Sequence, residues 1–324
     1  MIPFDCWDGR NDFTGTVEQA KLEQHFGPSA VAFNTYQNAI SAILEVLGSR
    51  SHMIPVVLPI TASPDTISAV LRGGGDPILL DIRPQTLQID PVVLDEVLAE
   101  VKAAVVILTR PGGQDLDPEL LAMTAELPTI LDSRLPPHED IESNLCCTFN
   151  VFDLAPLVGT GALVFHKFAQ QVRELKMVRA GILGLAANLN DALAAYTMKR
   201  LATDPSLGVR RGQQAIVVKR YMELLHEKYV YPFDQSPEWP YFIVRVDNAD
   251  RVVAHLHSHG ITVMKPVFPL HMLSDINRRW VEKPSYPVAE GLAKKLVALP
   301  THIGVLGKEA MIVERLHEVG TSQD

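Results

Sequence analysis

The chain is poor in cysteine, in aromatic residues and in positive charge, and it has no long apolar run. Three cysteines occur among 324 residues, Cys6, Cys146 and Cys147, and the last two are adjacent. No Cys-x-x-Cys spacing is present, so a disulfide framework is excluded and a reducing compartment fits. Lysine and arginine number 29 against 38 aspartates and glutamates, a formal net charge of −9. Nucleic-acid binding needs a basic face, so no nucleic-acid partner is expected. The best apolar runs, such as 103–108, have the length of a strand and not of a membrane span. The stretch MIPFDCWDGRND lacks a basic head followed by an apolar segment, so it does not read as a secretory signal. No membrane partner is expected, and a cytoplasmic location is. A GxSxG nucleophile elbow is missing as well. Lysine itself is absent from 103 to 166.

At 47% hydrophobic and 21% charged, the composition is that of a globular protein with room for two domains. Short β-branched or leucine-rich runs alternate with helical patterns. Strands are expected at 55–60, 77–81, 104–109, 129–132 and 163–165. Helices are expected at 63–71, 92–101, 118–126, from about 169, and at 185–201 and 209–228. Such alternation predicts an α/β fold whose mostly parallel sheet is covered on both faces and binds ligand beyond its strand ends. Thr61, Thr109, Arg110, Asp132 and Arg134 occupy those ends. After Pro232 the pattern changes to strands at 241–246 and 261–264, with helices at 249–259, 288–296 and 309–319. The expected division is a large α/β domain over 1–205, then a linking helix and small α+β domain over 206–324.

Three motifs invite chemistry and resist it. The glycines at 73–75 lie between a helix and the next strand, whereas a phosphate loop lies between a strand and the next helix, so they read as a helix-ending turn. His255 and His259 share a helical face while His257 points away, and no acid nearby in sequence completes a metal motif, so no metal is expected. Cys146 and Cys147 read as buried filling ahead of a strand. Asp132 is different, because the run 128–134 (PTILDSR) delivers a carboxylate to the end of a buried strand. There it can pair with a protonated ring nitrogen, or cap a helix, or pair with Arg134.

The order of segments resembles the DegT/StrS-like sugar aminotransferases, pyridoxal-phosphate (PLP) proteins of the aspartate-aminotransferase fold. The resemblance is carried by residues 69–91 (AVLRGGGDPILLDIRPQTLQIDP), Gly113-Gln114 before Leu116, 268–271 (FPLH), 286–290 (YPVAE) and 298–302 (ALPTH). It spans about 20 to 320 and implies that fold, with a small C-terminal domain and active sites at a homodimer interface. By resemblance, Asp132 falls on the aspartate that holds the pyridine nitrogen. The phosphate-binding Ser-Gly-Thr turn corresponds to Thr35, Tyr36 and Gln37, and the stacking aromatic to Ser63. A serine ahead of the catalytic lysine corresponds to Asn150, and two residues offered across subunits correspond to Ala186 and Asn188. The lysine itself corresponds to Ala155 or Leu154, according to register, and Lys167 is the nearest lysine.

Alanine or leucine has no basic nitrogen for a Schiff base or a proton shuttle, and tyrosine is bulky where backbone must approach phosphate. The sequence therefore reads as a pseudo-aminotransferase with no catalytic residue and no covalently bound cofactor. PLP is the cofactor the resemblance implies, and its binding here is put in doubt. The expected role is a binding or regulatory subunit in nucleotide-sugar or surface-glycan metabolism. A nucleotide sugar is the expected ligand, and an active paralogue or sugar-pathway enzyme the expected partner. The alternative is an aminotransferase-like enzyme, PLP-dependent or lysine-independent, using the same crevice. Asp132, Tyr36, Gln37, Ser63, Arg134, Asn150 and Asn188 are its candidate remnants, with His138 and Asp153 as further polar groups.

Overall fold

A computed structural model describes residues 17–48, 53–101, 105–133, 145–150, 161–166, 168–181, 187–203, 206–231, 241–272 and 285–320. Seven strands form one sheet: β1 (Ala30–Phe33), β2 (Ile54–Pro59), β3 (Gly75–Leu80), β4 (Val105–Thr109), β5 (Thr129–Ser133), β6 (Leu145–Asn150) and β7 (Ala162–His166). Their spatial order is β1-β7-β6-β5-β4-β2-β3. The pairs β2–β3, β2–β4, β4–β5 and β5–β6 are parallel, and β7 is antiparallel to both its neighbours. The expected mostly parallel α/β sheet is present.

Alternate side chains of these strands feed two cores, as a sheet covered on both faces requires. Val56, Leu58, Ile107, Ile130 and Val164 face one core; Val57, Val106, Leu108, Leu131 and Leu163 face the other. The first is covered by α2 (Tyr36–Val46), α3 (Pro64–Arg72) and α6 (Ala169–Arg179). The second is covered by α1 (Val17–Phe26), α4 (Pro91–Glu100), α5 (Pro118–Thr124) and α7 (Asp191–Thr203). Helices α3, α4 and α5 start alike: Ser63, Asp90 or Asp117 caps the helix and a proline follows at its first position. Proline costs nothing there, because the first-turn N–H has no helical acceptor.

The glycine run ends α3 as expected. Gly74 has φ of 78°, and Gly75 opens β3. A Cβ on Gly75 would lie 2.8 Å from side-chain atoms of Val56 and Val70. Gly75 is there to let helix and sheet approach, not to hold phosphate.

The C-terminal part is a two-stranded antiparallel sheet, β8 (Tyr241–Arg245) with β9 (Leu296–Pro300). Around it pack α8 (Ser206–Leu224), α9 (Ala249–Ser258) and α11 (Glu309–Gly320), through Val217, Tyr221, Val252, Leu256, Ile312 and Leu316. A further helix, α10 (Pro287–Ala293), is tied to the large sheet. Its Val288 and Ala289 amides both donate to the Asp81 carboxylate, at 3.0 Å each. Leu270 N donates to the Ile60 carbonyl at 2.9 Å, and the Tyr231 hydroxyl donates to the Pro84 carbonyl.

Several sequence expectations are corrected. The strand expected at 261–264 is irregular chain, in which only Met264 bridges to Ala298. The helix expected at 288–296 stops at Ala293, and Leu296–Pro300 is a strand buried at all five positions. The helix expected from 185 begins at Asp191, because the Asn190 side chain accepts from Ala192 N and caps it there. Cys146 and Cys147 lie inside β6, not ahead of a strand.

Candidate functional site

The parallel strands β2, β4 and β5 deliver Thr61, Thr109, Arg110 and Asp132 to one edge of the sheet, with Thr109 and Asp132 side by side in register. A crevice of about 430 Å³ opens there. Its large-sheet wall includes Thr61, Ser63, Asp65, Arg110 and Asp132. Its opposite wall is C-terminal: Tyr241, Ile243, Met264, Lys265 and Phe268. Met264 and Phe268 are exposed, so the crevice pairs a polar floor with an apolar rim.

Asp132 is held from behind. Its Oδ2 accepts from the Thr66 hydroxyl at 3.0 Å, and Thr66 is fully buried. The same Thr66 oxygen lies 2.9 Å from the Tyr36 hydroxyl and 2.8 Å from the Ser63 hydroxyl. An ionised carboxylate can only accept, so the single Thr66 proton goes to Asp132. Tyr36 and Ser63 must then both donate to Thr66. Ser63 also accepts from Thr66 N at 3.0 Å and so caps α3. The four side chains form one directed network from α2 through α3 to β5.

Tyr36 is the first residue of α2, and its half-buried ring packs against the apolar core. The ring therefore bridges the first turns of α2 and α3. Thr35 caps α2 by accepting from Asn38 N at 3.0 Å, and Gln37 donates to Asp65 Oδ1 at 2.8 Å. Among the described residues that line the crevice, none comes from α2.

The remaining sequence candidates divide sharply. Asn150 is the last residue of β6. Asn188 follows Ala187, whose carbonyl accepts from Asn34 N beside the entry to α2, and it is not among the lining residues. Leu154, Ala155, Arg134, His138, Asp153, Lys167 and Ala186 lie outside the described residues. The chain joining β6 to β7, residues 151–161 (VFDLAPLVGTG), contains no lysine.

Sequence reasoning missed Thr66, the hub of the network, and the whole C-terminal wall. Thr66 stands three residues after the Ser63 cap, in a turn where a buried hydroxyl needs partners; that spacing was the available signal. Lys265 was also missed, although it is a lysine facing the crevice. Its Nζ lies 2.7 Å from Asp250 Oδ1 on α9. Arg110 turns to its own loop, donating to the Gln114 carbonyl at 2.8 Å and to Asp115 at 3.1 Å.

Comparison with known proteins agrees with this architecture. The fold is similar to S. venezuelae DesV, solved in complex with a ketimine intermediate, with a TM-score of 0.81 at 18% identity over 95% of this chain and 91% of that one. It is similar to a DegT DnrJ EryC1 StrS aminotransferase from Brucella abortus, with a TM-score of 0.78 at 19% identity over 93% and 91%. It is also similar to the PMP form of a sugar aminotransferase, Spr1654, from Streptococcus pneumoniae, with a TM-score of 0.78 at 16% identity over 94% and 92%. In sequence it is 24% identical to a pleiotropic regulatory protein of Geobacillus stearothermophilus over 260 residues, 72% of this chain and 70% of that protein. Residues 156–317, half of the chain, match the model of the DegT/DnrJ/EryC1/StrS aminotransferase family. The chain belongs to that family.

Proposed function

We propose that this protein is a pseudo-aminotransferase: it keeps the crevice of its family, forms no Schiff base, and serves as a binding or regulatory subunit in nucleotide-sugar or surface-glycan metabolism. The observation that carries the reading is the lysine-free connection between β6 and β7. No side chain in 151–161 carries an amine to condense with an aldehyde.

The donor set at the other end of the site supports the same reading. A phosphate held at a helix N-terminus needs open amides and small side chains. At α2 the Thr35 hydroxyl takes the Asn38 amide, the Tyr36 ring spans to Thr66, and Gln37 is engaged by Asp65. Asp132 fits a pyridine nitrogen, but the phosphate and amine ends do not fit the cofactor. We therefore read the described residues as a poor fit to PLP, and no reaction step is assigned to that group. The name of the Geobacillus relative, a pleiotropic regulatory protein, favours a regulatory over a catalytic role. The polar floor and apolar rim suit a sugar and a planar base. We further propose a homodimer that pairs functionally with an active paralogue or another sugar-pathway enzyme.

A second reading rests on Lys265. It lines the crevice from the wall opposite Asp132, and its partner Asp250 is exposed, so the ion pair is a weak restraint. In that reading the chain is a PLP-dependent enzyme with a displaced lysine. One experiment separates the two. Purified protein is incubated with pyridoxal phosphate, its visible spectrum recorded, and borohydride added before peptide mapping. The first reading expects no stable adduct, and saturable binding of a nucleotide sugar by calorimetry. A reduced adduct at Lys265, lost in Lys265→Ala, would establish the second and overturn the first.

A further inference from the structure

We infer that the outer face of the C-terminal region carries a surface site for a borderline divalent cation of the zinc type, formed by His255, His259 and Glu318. The three residues come from two helices that pack together through Val252, Leu256, Ile312 and Leu316. His255 is in the last turn of α9, and His259 is the residue that caps it. One helical turn separates them, so their rings stand on one face, with centroids 4.5 Å apart. Glu318, in α11, brings its Oε2 to 2.8 Å from His255 Nε2. One donor atom from each of the three residues lies within 4.8 Å of the others. The acid that no nearby sequence supplied is delivered by the fold from 63 positions away.

The tautomer of His259 favours ligation. Its Nδ1 lies 2.9 Å from the His255 carbonyl oxygen, which can only accept. Nδ1 therefore carries the proton, and Nε2 presents its lone pair outward. A ligating histidine ordinarily donates its other ring N–H to a carbonyl or carboxylate in this way. Glu318 is oriented in turn by Arg315, whose Nη1 donates to Oε1 and leaves Oε2 facing His255. His257 takes no part, because its Nε2 lies 2.9 Å from the Val263 carbonyl. Donors on a tetrahedral zinc sit about 3.3 Å apart, so closing the site needs rotamer adjustments and the loss from His255 Nε2 of the proton it now shares with Glu318. Two imidazoles and a carboxylate leave the fourth position to water. They select a zinc-like ion over magnesium or calcium, which take oxygen ligands. The bound ion would clip α9 to α11 through residues that do not line the crevice.

The test uses the full chain, stripped with a chelator and titrated with zinc against a chromophoric competitor. One saturable zinc per chain is expected, uncontested by excess magnesium, with an upward shift of the thermal midpoint. His259→Gln and Glu318→Gln should each weaken zinc at least about tenfold. Both residues are exposed, and circular dichroism checks that each variant folds. Wild-type affinity in both variants would overturn the assignment. So would the absence of saturable binding to wild type, or zinc binding abolished by cysteine alkylation but kept in His259→Gln.

Discussion

Replacing Thr66 by valine isolates the network behind Asp132, because valine keeps the volume and removes the one hydroxyl through which three side chains meet. Thr66 is fully buried, so no water replaces its oxygen. Its bond to the Asp132 carboxylate is charge-assisted, and bonds of that kind contribute about 1.5–3 kcal/mol. The Tyr36 hydroxyl loses its acceptor but is half-buried and regains part of its hydration, leaving about 0.5–1 kcal/mol. Ser63 is exposed and loses little. The expected destabilisation is therefore about 2–4 kcal/mol, a large share of the ~5–15 kcal/mol of a typical domain. Urea unfolding measures it as a lower midpoint at unchanged slope. A double-mutant cycle with Tyr36→Phe gives the sharper outcome. That second change removes only the Tyr36 end, so the pair should be coupled by about 0.5 kcal/mol or more. A Thr66→Val protein within about 0.5 kcal/mol of wild type, or strictly additive effects, would refute the directed network.

Three further outcomes follow from particular contacts. Gly75→Ala should cost about 1–3 kcal/mol in urea unfolding, since the new methyl meets Val56 and Val70 at 2.8 Å. Glu23→Ala should cost about 3–5 kcal/mol in the same assay, because it leaves the fully buried Arg179 without its carboxylate and frees the Ala32 amide, now bonded at 2.8 Å. Burial, chiefly, pushes the Tyr231 and Tyr286 hydroxyls up to about 12, opposed by Arg245 at the first and reinforced by Asp81 at the second. Their unfolded value is about 10, so this stability is complete below pH 10 and lost as pH rises towards 12. A thermal midpoint that falls over that range in wild type, and less in Tyr231→Phe, checks it; parallel curves would contradict it.

The central strands were legible because each buries both faces and so appears as a short, unbroken β-branched or leucine-rich run. Helices α3, α4 and α5 were legible from their alternation with those runs, and the structure adds a capping residue followed by proline at each start. What escaped notice had a different physical cause in each case. The buried face of α1 carries Gln19 and Glu23, which bond Leu189 N and Arg179, so its pattern looks polar although it is interior. Strand β9 follows α10 after two lysines, and its Leu-Val-Ala-Leu run suits a helix as well as a strand. Tertiary pairing with β8 decides it. At the crevice, Asp132 could be read from its strand and Thr66 only from its spacing after Ser63, whereas the pairings of Thr66, Lys265 and, away from the crevice, Glu318 could not be read. Their partners are 66, 15 and 63 positions away, and no local spacing encodes that distance.

That distance bears on what the retained aspartate means. Asp132 is the one remnant that meets the chemical requirement of a pyridine partner, and taken alone it would speak for a bound cofactor. The structure gives it a second occupation. It accepts the proton of the buried Thr66 hydroxyl, and through Thr66 it ties β5 to the first turns of α2 and α3. Removing it would lose the charge-assisted bond, about 1.5–3 kcal/mol, offset in part where the Thr66 proton turns to the Ser63 or Tyr36 oxygen. A carboxylate in this place is thus explained by the fold as well as by a pyridine partner, and its presence alone does not decide whether a cofactor binds. The proposal that this chain forms no Schiff base rests instead on sequence: residues 151–161, which join β6 to β7, include no lysine.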